Sequence, residues 1–153
     1  MSRCARILVP GEASAVAFAR ERVLTQMHAW GVQAEEPTRD AIRLVASELL
    51  TNAVVHTDSR FLTMGLYYDE YEGRLLLVVH DASPDPPRQQ PVTVEDHGRG
   101  LELVALLSSR HGWEPTSRGK RVWAEFAVPV PAPATRAARV RLRLRAAAPA
   151  SGP

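Results

Sequence analysis

The chain has 153 residues, the length of one domain, and 45% of them are hydrophobic, enough for a sizeable core. No apolar run reaches the roughly 20 residues that span a bilayer, Met1-Ser2-Arg3-Cys4-Ala5-Arg6 lacks the apolar stretch of a signal peptide, and a single cysteine, Cys4, excludes an internal disulfide; a cytoplasmic protein with no membrane segment is expected. The net charge of +2 hides an asymmetry: residues 131–153 hold five arginines and no acid, and the other 14 basic and 17 acidic residues give −3, which argues against a nucleic-acid-binding body.

Residues 4–9 read as a short strand, ended by the turn signal Pro10-Gly11. A helix is predicted over 13–30, where Val16, Ala19, Val23, Met27 and Trp30 follow a helical period and Gly31 stops the chain. Glu35-Glu36-Pro37-Thr38 opens a second helix, with proline tolerated in its first turn and the acids at the positive end of the dipole. It runs to about Thr57. Strands are predicted at 60–69 and 74–80, turned by Tyr71-Glu72-Gly73. Pro84, Pro86, Pro87 and Pro91 make 81–97 a loop. Gly98-Arg99-Gly100 leads into a helix from Leu101 to about Ser109, and strands follow near 111–116 and 121–128. The order implies an α+β two-layer sandwich, a mixed, mostly antiparallel sheet covered on one face by three helices. A domain over 1–130 and an Ala/Arg/Pro-rich, disordered tail over 131–153 are expected.

The second helix carries the chemistry. Glu48, Asn52 and His56 stand at i, i+4 and i+8, on one face, while Ile42, Val45, Leu49 and Ala53 form an apolar stripe. A carboxylate one turn before an amide suits phosphoryl transfer. The carboxylate can take a proton from an attacking hydroxyl, and the amide oxygen can hold magnesium. The same spacing also occurs on ordinary solvated helices. His56 can equally touch a ligand or cap the helix C-terminus. Asp81 can cap a turn, and Gly-x-Gly before a helix is common. The five histidines and one cysteine have no zinc-ligand spacing.

In this order, Glu48-x-x-x-Asn52, Asp81 at a strand end, a loop, Gly98-Arg99-Gly100-Leu101 and Gly119-Lys-Arg-Val-Trp-Ala-Glu125 resemble the GHKL ATP-binding (Bergerat-fold) superfamily. The closer resemblance is to its bacterial anti-sigma-factor branch of small serine kinases, over about residues 3–129. It implies ATP and Mg2+ as cofactors, Glu48 as catalytic base and Asn52 as the magnesium ligand. Asp81 would accept the adenine amino group, with Ser83 and His56 near the nucleotide. Gly98, Arg99, Gly100 and Leu101 would hold phosphates, through close backbone approach, arginine charge and helix N–H groups. The implied activity is serine/threonine protein kinase and the implied partners are a sigma factor and its anti-anti-sigma antagonist, with a possible homodimer and no direct DNA binding. The alternative is a non-catalytic ATP-binding module that acts through partner contacts. The chain departs from the superfamily at Ser83-Pro84-Asp85-Pro86-Pro87, where glycine is usual, at Arg121, where threonine is common beside the adenine-side strand, and at His111-Gly112-Trp113.

Overall fold

A computed structural model describes residues 2–88 and 100–130. Its elements are β1 (Ser2–Pro10), α1 (Ala13–Ala29), α2 (Glu36–His56), β2 (Phe61–Asp69), β3 (Arg74–Asp81), α3 (Gly100–Leu107), β4 (Arg110–Thr116) and β5 (Gly119–Ala127). The five strands form one sheet in the order β1-β2-β3-β5-β4. All four pairings are antiparallel. The expected sandwich is therefore present, and its sheet has no parallel pair among the described residues. No described helix is long and apolar enough to cross a membrane.

Period-two alternation explains why one face is covered. Leu62, Met64, Leu66 and Tyr68 of β2, Leu75, Leu77 and Val79 of β3, and Val122, Ala124 and Phe126 of β5 are all buried on the helix side. They meet Val16, Ala19, Val23 and Met27 of α1 and Ile42, Val45, Ala46, Leu49, Leu50 and Ala53 of α2 in a single cluster. Val104 brings α3 into it. Trp30 stacks on Tyr68 at 6.4 Å between ring centroids, within the range where aromatic pairs attract. Burial pushes the Tyr68 hydroxyl above its usual pKa.

Helix α1 ends where glycine permits the left-handed turn: Gly31 has φ 73° and its N–H bonds to the His28 carbonyl. At the end of α2 the Thr57 hydroxyl donates to the Ala53 carbonyl at 2.6 Å. A buried Ser59 then accepts from the Ala82 N–H at 2.8 Å, which fixes the end of β3 against the start of β2. The far face of the sheet carries Tyr67, Val78, His80, Arg121 and Trp123 around a cavity of about 460 Å³.

Candidate functional site

Helix α2 holds the polar stripe because its other side is fully spent on the core. Leu49, Leu50 and Ala53 are buried, whereas Glu48, Asn52 and His56 are half-buried on the side turned towards α3 and the segment after β3. The start of α3 lies against the stripe. A Cβ built on Gly100 would overlap Oε2 at the tip of the Glu48 side chain, so the carboxylate lies directly against the start of α3. Glu48 and Gly100, which the sequence placed in separate motifs, thus meet, and Leu101 follows half-buried in the same first turn.

Asn52 is oriented by its neighbour. Its Nδ2 donates to the Arg88 carbonyl at 2.8 Å, which assigns the amide oxygen the opposite direction. An oxygen presented this way is the atom a hard cation takes. No group of three or more metal-ligating side chains occurs among the described residues. A cation here would thus need phosphate oxygens and water besides Asn52. That suits magnesium, which keeps much of its hydration and is bound with substrate phosphates.

Segment 81–88 begins at Asp81 and ends on the Arg88 carbonyl that Asn52 holds, so the strand end is tied to the stripe through one short stretch of chain. Asp81 is buried, with 7% of its surface exposed. Its Oδ1 accepts from the Ser83 N–H at 2.9 Å and from Lys120 Nζ at 3.0 Å. Its Oδ2 is buried and has no partner among the described residues. A buried acceptor without a donor is unfavourable, and a ligand amine is one group that could satisfy it. The Asp81–Ser83 bond is also the turn that the alternative reading of Asp81 expects. Both roles are therefore compatible, one oxygen for each. Ser83 acts mainly through its backbone, and its hydroxyl accepts from the Asp85 N–H at 3.3 Å.

His56 stands in the last turn of α2, where Thr57 hydrogen-bonds the Ala53 carbonyl. The His56 Nε2 is buried without a partner among the described residues. Gly98 and Arg99, expected to touch phosphate, lie outside the described residues.

Lys120 is the residue that sequence reasoning missed. Register pairs Asp81 with Lys120 and His80 with Arg121. Lys120 therefore points to the helix side, 2% exposed, and Arg121 to the open face. There Arg121 Nε donates to Glu114 Oε1 at 2.5 Å, which holds the Glu114 carboxyl below its usual pKa. The position facing Asp81 is 120, and Arg121, opposite His80, belongs to the other surface. The signal was available. Lys120 alternates in phase with Val122, Ala124 and Phe126, and a lysine in an apolar register needs an acid opposite it.

The family model of the histidine kinase-like ATPase domain matches residues 9–126. Among solved structures, the RsbU and RsbW domains of Rv1364c from Mycobacterium tuberculosis are similar in fold, with a TM-score of 0.64 at 16% identity. The alignment covers 85% of this chain and 34% of that one, so the chain spans about a third of its length. No curated protein matches.

Proposed function

Since the chain belongs to the histidine kinase-like ATPase domain family, we propose that it is an ATP-binding anti-sigma factor with serine/threonine protein kinase activity. It would act on a sigma factor and on an anti-anti-sigma antagonist. The likeness in fold to a structure containing an RsbW domain supports this regulatory branch. The observation that carries nucleotide binding is the buried, unpartnered Oδ2 of Asp81 at the end of β3. An adenine amino group would supply the missing donor.

When bound, ATP would supply the transferable γ-phosphoryl group and magnesium would neutralise phosphate charge. The chain's own residues do the positioning. Asn52 would present its amide oxygen to the cation. The backbone from Gly98 to Leu101, with Arg99, would face the phosphates, because an N-terminal helix turn leaves N–H groups without intrahelical partners. Glu48 would take the proton of the attacking serine or threonine hydroxyl as the new O–P bond forms and the bond to the β-phosphate oxygen breaks. In this reaction class catalysis is chiefly positioning and electrostatics. The ATP-binding domain would comprise residues 1–130. A homodimer is part of the same reading, and DNA contact is not.

A second reading has specific support. Segment 83–87 reads Ser-Pro-Asp-Pro-Pro where glycine is usual, and Lys120 already occupies one oxygen of Asp81. A protein that binds ATP and transfers nothing would act through partner contacts alone. Incubation with γ-labelled ATP and a candidate antagonist separates the two. Label on a partner serine or threonine favours the kinase. Retained nucleotide with no labelled partner favours the binding module.

A further inference from the structure

The ion pair at the end of β3 has a structure that stability does not require. Taking two charges out of water is unfavourable unless geometry and further hydrogen bonds compensate, and an apolar pair of similar volume is often as stable. Here the compensation is incomplete on both partners. Asp81 Oδ1 has two donors, Lys120 Nζ at 3.0 Å and Ser83 N at 2.9 Å, while Oδ2 has none. Lys120 Nζ donates to Asp81 Oδ1 and, at 3.4 Å, to the Ser83 carbonyl. An ammonium has three donors, so one remains. The buried pair therefore offers one acceptor and one donor.

A ligand edge that matches this pattern carries an amine donor next to a ring-nitrogen acceptor. The 6-aminopurine ring has that edge. A 6-oxopurine reverses both positions, with a carbonyl where the amine was and an N–H where the acceptor was.

We propose that Lys120 is a specificity-determining residue of the nucleotide site, reading the purine edge together with Asp81. Oδ2 accepts from the exocyclic amine and Nζ donates to the adjoining ring nitrogen. This rests on the nucleotide reading above and adds to it a residue and a rule of selection. The local fold is built to hold Lys120 there. Gly119 has φ 147°, and a Cβ on it would overlap the Asp81 carbonyl and come within 2.7 Å of Ala82 Cα. Only glycine lets β5 begin against β3 so closely that its next residue faces the carboxylate.

The test is calorimetric titration of the full chain with three magnesium nucleotides: ATP, inosine triphosphate and 1-deaza-ATP, which lacks the ring acceptor. The wild type should prefer ATP over each analogue by about tenfold or more, the scale of one mismatched buried hydrogen bond. Lys120→Met should lose most of the gap between ATP and 1-deaza-ATP, because the donor that distinguished them is gone. A merely structural lysine would lower both affinities alike and leave their ratio unchanged. Equal binding of ATP and 1-deaza-ATP by the wild type would overturn the proposal, as would an unchanged gap in the variant. Should Lys120→Met not fold, the wild-type comparison alone decides. A wild type that binds none of the three would overturn the nucleotide reading itself and this inference with it.

Discussion

At the scale of single residues, the duties proposed for Glu48 and Asp81 are separable. Glu48 borders the start of α3 and would take the proton, and Asp81, at the end of β3, would bind the base, so removing one should not reproduce the loss of the other. Glu48→Ala should keep Mg-ATP affinity within about threefold while phosphoryl transfer falls by at least about a hundredfold, the usual contribution of a positioned base. Filter binding beside a labelled-transfer assay would read both. Transfer that survives in Glu48→Ala would remove Glu48 as the base. His80, on the open face, gives a pH signature of a different kind. Partial burial, and then the charges of Arg121 and Arg6, hold its pKa below the ordinary 6.5. Its folded pKa is depressed, so as pH falls through about 6.5 the unfolded chain takes up the proton first and the folded state loses stability. His80→Gln should therefore narrow the difference in Tm between about pH 7.5 and about pH 5.5. An unchanged difference would show that other groups carry the acid sensitivity.

At the scale of elements, the contacts that matter join pieces far apart in sequence. Helix α3 starts directly against the Glu48 carboxylate at residue 100, and β5 reaches Asp81 because residue 119 has no side chain. Gly119→Ala meets two penalties together, a φ of 147° that L side chains rarely adopt and a Cβ that would overlap backbone. A loss of about 2 kcal/mol or more in urea unfolding is expected. Wild-type stability in that variant would mean that the β3–β5 junction is looser than described. The elements themselves were legible in the sequence. The apolar period of α2 and the alternation in β2 and β3 repeat within a few residues, so local patterning places them. The junctions were less so. Arg121 does lie beside β3, opposite His80, but its side chain is on the open face and Lys120 is the residue that meets Asp81. A one-residue shift in the start of a strand exchanges its two faces, and the alternation of Val122, Ala124 and Phe126 has to be read back to Lys120 to give the phase. Glu48 meeting Gly100 was likewise out of reach, because sequence spacing carries no information on how α2 and α3 pack. The stripe was legible because it lies within one helix.

At the scale of the whole molecule, the sheet has one face covered by helices and the other open, and the described residues proposed to hold nucleotide lie on the covered side or at its rim. The open face, with Trp123, Arg121 and Glu114, is a separate surface. Charge is also partitioned. The arginines at 136, 139, 141, 143 and 145 reverse the sign of a body that is otherwise −3. If that segment binds polyanions, deleting residues 131–153 should abolish salt-sensitive retention on heparin and leave the unfolding transition in place. Retention unchanged by the deletion would assign it to the body. Nucleotide binding is the claim on which every functional role above depends. The measurement that tests it most directly is calorimetric titration of the full chain with Mg-ATP, alongside Asn52→Asp and Asp81→Asn. Saturable binding by the wild type, weakened by about tenfold or more in both variants, is the expected result. No binding by the wild type at millimolar ATP, or variants that bind as the wild type does, would contradict it.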